Sequence, residues 1–174
     1  MRFIIWILIP FLFASCVATQ NGERRALERN ILTIASEKGY SFAPVGRSEQ
    51  SFTLTLLPNE SFGTVQSIVL LREEDRSAAV WWMQNTKDME SIFNRLRREL
   101  FLRVSADGTI EDHEWRVASG TPVLMLSFID PVVTEEEITF AGIGNTFYEF
   151  HGDAEEVHSL ILLLTEGERP MTRE

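Results

Sequence analysis

The sequence predicts an α+β fold, a mostly antiparallel sheet of hairpins with helices packed against it. Segments with alternating apolar residues follow one another directly, in a group of three and then a group of four, separated by short polar turns. Three segments with helical spacing stand before, between and after these groups. Because strands and helices do not alternate strictly, the pattern favours antiparallel hairpins over a parallel sheet with crossover helices.

The first two predicted elements are a helix at residues 23–38 and a strand at residues 52–57. Helical spacing places Leu27, Ile31 and Ile34 on one side, and Gly39 stands where helices commonly end. In the stretch SFTLTLLP the apolar side chains alternate with threonines, which is typical of a strand, and the Pro-Asn pair after it marks its end.

A hairpin is predicted from residues 64–71 and 77–84, joined by the charged loop at residues 72–76. Trp81 and Trp82 are adjacent in the second strand, so their side chains must point to opposite faces of the sheet. One of these rings is therefore expected in the core, and the other needs cover from a helix, a second layer or a partner.

A second helix is predicted to begin at a cap formed by Asn85 or Thr86, with Asp88 in its first turn, and to run to about Leu102. Its apolar stripe contains Met89, Ile92, Phe93, Leu96 and Leu100.

The last third of the chain is predicted to form two more hairpins and a terminal helix. The paired strands are residues 114–118 with 122–129 and residues 137–143 with 146–151. Asp153 then opens the helix, with Glu156 three residues later in a capping-box arrangement.

This order of elements resembles the PsbP-like α/β/α sandwich superfamily. The resemblance rests on the opening stretch SFTLTLLP, a hairpin with a charged tip, a long helix, two further hairpins and a terminal helix, and it covers roughly residues 50–165. That superfamily includes small bacterial lipoproteins, so the resemblance implies a non-enzymatic accessory or binding role.

The start of the chain has the pattern of a secretory signal peptide. Arg2 supplies a positive charge, residues 3–13 are apolar, and the small residues Ala14 and Ser15 precede Cys16. The stretch FASC resembles the lipobox of bacterial lipoproteins, although Phe13 stands where that family usually has leucine. The resemblance implies acylation of Cys16 and cleavage just before it.

The predicted organisation is therefore a signal peptide at 1–15, a lipidated cysteine and tether at 16–22, and a single α+β domain at 23–170. Two alternatives stay open, namely ordinary cleavage after Ala18, which would discard the thiol, and an uncleaved anchor helix. The expected location is the cell envelope, facing the periplasm, with the outer membrane favoured over the inner because Val17 rather than an aspartate follows the cysteine.

Composition narrows the possible partners. Loss of Arg2 with the leader leaves 15 basic and 26 acidic residues, a net charge of −11. Such a surface repels phosphate backbones, so no nucleic-acid partner is expected. The chain has a single cysteine, which argues against disulfides and thiolate metal sites, and no cofactor is expected.

Three polar groupings are candidate chemical sites. His151, Asp153 and His158 surround a strand–helix corner, but no metal-binding motif fixes their convergence, and Asp153 already serves as a cap. The consecutive residues 112–114, Asp-His-Glu, are predicted to lie in a solvated loop before a strand. The arginines at 95, 97 and 98 are predicted to form a solvated helix face, although they could bind an acidic group.

Aromatic residues on the strands give the remaining candidate site. Trp81, Trp82 and Tyr148 are speculative ligand-binding residues, with core packing as the ordinary explanation for such rings.

The sequence leads to three functional hypotheses. The first is a cell-envelope lipoprotein, anchored to the membrane through acylated Cys16, whose non-catalytic domain binds an envelope protein partner. The second is a lipid or small-molecule binding module that uses the aromatic sheet face. The third is a metal-dependent hydrolase built on His151 or His158.

Overall fold

In the part of the chain that the structure describes, seven strands form one antiparallel sheet, and the α+β class predicted from the sequence is confirmed. The computed structural model describes residues 31–84, 88–116, 122–134 and 136–165. The strands are β1 (Ser41–Ala43), β2 (Val65–Arg72), β3 (Asp75–Gln84), β4 (Thr109–Arg116), β5 (Pro122–Ile129), β6 (Glu137–Ile143) and β7 (Thr146–Gly152). Their order across the sheet is β1-β2-β3-β7-β6-β5-β4, so the first and last hairpin groups join where β3 pairs with β7.

Helices cover both faces of this sheet. On the first face, α2 (Phe52–Leu56) and α3 (Met89–Phe101) pack against apolar residues of the central strands. On the second face, α1 (residues 31–37) and α4 (Ala154–Thr165) cover the other apolar set. No helix within the described ranges is both long enough and apolar enough to cross a membrane.

The strand predicted at residues 52–57 is wrong, because this stretch forms α2. Ser51 caps the helix by accepting a hydrogen bond from the backbone N–H of Leu54. The buried carboxylate of Glu149 accepts the N–H groups of Phe52 and Thr53, which fixes the first turn against the sheet. This tertiary contact overrides the alternating pattern and removes the opening strand on which the PsbP-like resemblance partly rested.

The hairpin of β2 and β3 is confirmed, and its tip has an unusual backbone. Glu73 and Glu74 have φ angles of 53° and 74°. Positive φ at both central residues is the geometry of a type I′ turn, whose twist matches that of paired strands, although glycine or asparagine is usual there. The charged loop predicted at residues 72–76 is thus a tight two-residue turn.

The β4–β5 hairpin is longer than predicted. β4 begins at Thr109, where Thr109 pairs with Ile129, rather than at Glu114. The prediction of a loop at residues 112–114 is therefore wrong, because β4 is an edge strand on which charged side chains remain exposed.

The remaining elements agree with the sequence pattern, except β1 (Ser41–Ala43), a short strand that the pattern does not predict. The helix predicted at 23–38 is confirmed over residues 31–37, and Gly39 follows it with a φ of 84°. Asp88 caps α3, whereas the predicted caps Asn85 and Thr86 lie outside the described residues. The β6–β7 hairpin and the cap of α4 by Asp153 are as expected.

Candidate functional site

A polar groove lies on the part of the second face that α1 and α4 leave open. The two helices contact apolar residues mainly on β2, β3, β6 and β7. The part of this face formed by β4 and β5 is therefore left uncovered beside α4. The groove has a volume of about 500 Å³, a size typical of small-ligand sites. It is lined by Thr109, Glu111, His113, Met125, Ser127, Ile129, Glu137, Thr139, Ala154 and His158.

Strand register places the polar floor of the groove. Glu111 lies opposite Ser127, and Ser127 lies opposite Thr139, so the three form a row across β4, β5 and β6. The hydroxyls of Ser127 and Thr139 are 3.2 Å apart, and the Thr139 hydroxyl donates to Glu137 Oε1 at 3.3 Å. His158, on α4, stands on the wall above this floor.

The electrostatics of the groove come from two carboxylates and two imidazoles. His113 Nε2 lies 3.7 Å from Glu111 Oε2, and these side chains are 52% and 71% exposed. Such a solvated pair is weakly coupled, so both groups remain free to exchange partners. Within the described residues, no three His, Cys, Asp or Glu side chains are arranged to hold a metal ion. The groove can therefore offer hydrogen bonds and negative charge to a ligand.

The start of α4, which forms the wall of the groove, is fixed by two polar contacts of Glu156. Tyr40 donates its hydroxyl to Glu156 Oε1 at 2.9 Å, and Arg72 pairs with the same oxygen at 2.9 Å. The guanidinium carbon of Arg72 stands 4.8 Å from the centre of the Tyr40 ring. Burial, together with Glu156, raises the pKa of Tyr40 to about 12, so the phenol remains a donor at neutral pH.

A second polar cluster lies inside the first face, around the fully buried carboxylate of Glu149. Its Oε1 accepts from the Phe52 N–H at 2.6 Å and contacts His151 Nε2 at 2.7 Å. Its Oε2 accepts from the Ser51 hydroxyl at 2.7 Å and from the Thr53 N–H at 2.9 Å. Four contacts therefore satisfy one buried anion, as burial of a charge requires.

The order of groups in this cluster differs from that of a serine nucleophile paired with its base. Glu149 stands between Ser51 and His151, so the serine hydroxyl donates to a carboxylate rather than to an imidazole. A serine nucleophile needs the imidazole in that position to take its proton. Burial opposes ionisation of Glu149, but His151 and Thr53 outweigh it and hold its pKa below the ordinary range.

A second buried carboxylate, Asp130, ties two loops together. Its oxygens accept the backbone N–H of Ser105 at 2.7 Å, the Ser105 hydroxyl at 2.8 Å and the N–H of Val132 at 3.0 Å. The hydrogen bond from the Ser105 backbone is the main cause of the lowered pKa of Asp130. This contact fixes the connection between α3 and β4, the strand that borders the groove.

The three aromatic residues predicted to bind a ligand are buried. Trp81 faces the first side of the sheet, where its ring lies 4.6 Å from that of His151. Trp82 and Tyr148 lie opposite each other on the second side, and burial raises the pKa of Tyr148 to about 12. Trp82 borders a recess of only about 10 Å³, so the three rings share no ligand-sized cavity there.

The two candidate metal ligands, His151 and His158, are not brought together. His151 contacts Glu149 on the first face, whereas His158 lines the groove on the second. Asp153 is a cap, with its Oδ1 accepting the N–H groups of Glu155 and Glu156 at 3.1 Å each.

The other two polar groupings are also separated by the fold. His113 lies in the groove, while Asp112 points to the opposite face and pairs with Arg97. Arg95 pairs with Glu60, so these two arginines neutralise carboxylates of the same chain. The predicted lipidation site, Cys16, lies outside the described residues.

Sequence reasoning missed the groove floor and the buried role of Glu149. Glu149 alternates with Phe147 on an apolar face, and a charged residue at such a position signals a buried anion with partners elsewhere. Ser127 and Thr139 are polar residues within two largely apolar strands, but this pattern alone does not show that their hydroxyls meet across β5 and β6.

Comparison with known proteins adds no relative, since no protein-family model, no curated protein and no solved structure matches this chain.

Proposed function

We propose that this chain is a cell-envelope lipoprotein, held by an acylated Cys16, whose non-catalytic domain binds an envelope protein partner. The observation that supports the binding role is the groove beside α4, where the helices leave part of the second face of the sheet open and polar side chains are exposed to solvent. The apolar leader that precedes Cys16 supports the anchor. Two acyl chains on that residue would hold the domain at a membrane.

The geometry favours this function over the other two hypotheses. A ligand site built on Trp81, Trp82 and Tyr148 would require the core to open, since all three side chains are buried. A hydrolase built on His151 and His158 would require groups from opposite faces of the sheet to meet. A small polar ligand in the groove remains a second candidate, because the cavity volume of about 500 Å³ suits one.

We also propose that the domain is a PsbP-like α/β/α sandwich. The placement of helices on both faces of an antiparallel sheet supports a PsbP-like α/β/α sandwich. The helix at Phe52–Leu56 departs from the strand that the resemblance assumed at the start of that domain.

Cells that express the chain should incorporate a radioactive fatty acid into it, and Cys16→Ser should abolish the incorporation. The thiol is the only cysteine in the chain, so the label has no alternative thioether site. The measurement is autoradiography of the immunoprecipitated protein from cells grown with labelled palmitate. Thr19→Ser, which lies outside the FASC stretch and keeps the thiol, is the matched control. An unlabelled wild-type chain would contradict the anchor.

A photo-crosslinking residue at His158 should capture a specific envelope protein in living cells, whereas the same residue at Ser159 should not. His158 lines the groove, and Ser159 is its exposed neighbour on α4 outside the groove lining. The measurement is mass spectrometry of the crosslinked bands. Equal crosslinking at both positions, or none at either, would contradict a partner seated in the groove.

A further inference from the structure

The outer edge of β4 borders the groove and is paired with no other strand of the described ranges. β4 stands last in the sheet order and pairs with β5 on one side, and within the described ranges no strand pairs with its other side. In an antiparallel strand, alternate residues direct their N–H and C=O groups outward. Among the described residues, positions 109–115 of β4 thus present a row of donors and acceptors at the sheet edge.

The two edges of the sheet differ in what they offer. β1, at the opposite edge, has three residues, too few to hold an added strand in register. β4 has eight residues, and its residues from Glu111 to Glu114 are all exposed. β4 is therefore the edge of this sheet that can accept another strand.

Charge selects which strand can be added. β4 has acidic side chains at Glu111, Asp112 and Glu114, but Asp112 is already paired with Arg97. A second copy of β4 placed antiparallel to the first would bring these carboxylates opposite or diagonal to one another, which is unfavourable. A strand with lysine or arginine at alternate positions would instead place its cations beside Glu111 on the groove face, and the net charge of −10 would favour its approach.

We propose that β4 is a docking edge for a basic extended segment of a partner protein, which adds as an eighth strand beside the groove. Main-chain hydrogen bonds to β4 supply affinity, and a basic side chain facing Glu111 on the groove face supplies specificity, as in other complexes formed by strand addition. The inference rests on the proposed function, because it names the chemistry of the partner that the groove face receives.

The test uses the full chain in detergent micelles and an eight-residue synthetic peptide, the length of β4, in which lysine alternates with threonine. The peptide should bind, and hydrogen exchange should slow at alternate backbone amides of β4. A peptide with glutamate in place of lysine should bind at least about tenfold more weakly, because its carboxylates would face Glu111. A tenfold change corresponds to about 1.4 kcal/mol.

Two controls separate strand addition from simple charge attraction. N-methylation of alternate peptide amides keeps the charge but blocks pairing, so it should abolish the slowed exchange in β4. Glu111→Lys should weaken the lysine peptide about tenfold and favour the glutamate peptide, while Glu155→Lys on α4, an exposed acid outside the groove lining, should change neither.

Three results would overturn the inference. These are no binding of the lysine peptide, equal binding of the N-methylated peptide, or a shift of the unliganded chain to dimers with slowed exchange in β4, which would assign the edge to a second copy. Crosslinking from His158 to an envelope protein in the same strain would then leave the proposed function standing while the strand-addition inference fails.

Discussion

Glu149→Ala should lower the free energy of unfolding by about 3–5 kcal/mol, the range observed when one partner of a buried charged pair is removed. The carboxylate is fully buried and accepts hydrogen bonds from Phe52, Thr53 and Ser51. Its removal leaves those donors and His151 without their acceptor, and the first turn of α2 loses its link to β7. Buried donors without partners cost free energy because they have given up water.

The measurement is urea unfolding of the purified full chain at neutral pH, monitored by tryptophan fluorescence. Glu149→Gln keeps the shape and one acceptor oxygen, so it should lose less stability than Glu149→Ala. Glu111→Gln, at a side chain that is 71% exposed, is the surface control and should change the free energy by less than about 0.5 kcal/mol. Equal losses at positions 149 and 111 would show that the buried carboxylate does not stabilise the fold.

The lowered pKa of Glu149 predicts that the folded chain loses stability in acid. The pKa of Glu149 is lower in the folded chain than its ordinary value, so the unfolded chain binds the proton more readily. Its contribution to stability is therefore fully present above about pH 4.3, the ordinary glutamate pKa, and is lost as the pH falls through the lower folded pKa. The stability gap between wild type and Glu149→Gln should narrow from pH 7 to pH 3, and a constant gap would contradict this assignment.

Local signals predicted the elements whose geometry is set by neighbouring residues. The Gly-Asn pair at 144–145 indicated the β6–β7 hairpin, and Gly144 has a φ of 57° at that turn. Asp153 indicated the start of α4, because a cap of this kind needs only backbone groups two and three residues away.

Long-range contacts explain what sequence patterns could not predict. Residues 52–56 alternate like a strand, but a carboxylate almost a hundred positions later in the chain fixes them as a helix. The groove likewise depends on the pairing of β3 with β7, which places β4 and β5 at the far edge of the sheet beyond α4. No local pattern in β4 or β5 specifies that pairing, so Ser127 and Thr139 gave no sign of a shared floor.

Phe147→Ala should lower the free energy of unfolding by about 3–5 kcal/mol, through lost burial and the cavity left behind. Phe147 is fully buried, and its ring centre lies 5.8 Å from that of Phe93, 6.0 Å from that of Phe62 and 6.2 Å from that of Phe140. These contacts join α3, β6 and the chain before β2 around one ring. Because packed neighbours collapse only partly into such a space, the loss should exceed the transfer free energy of the side chain alone.

Phe101→Ala is the matched control, since the same atoms are removed from a side chain that is 64% exposed at the end of α3. That change should alter the free energy of unfolding by less than about 0.5 kcal/mol in urea titrations of the purified full chain. Phe147→Leu should fall between the two, because it leaves a smaller cavity. Phe147 lies on β7 opposite Met83 of β3, where the two hairpin groups of the sheet join. An effect at Phe147 no larger than at Phe101 would mean that this join, and the placement of the groove that depends on it, is not held by the aromatic cluster.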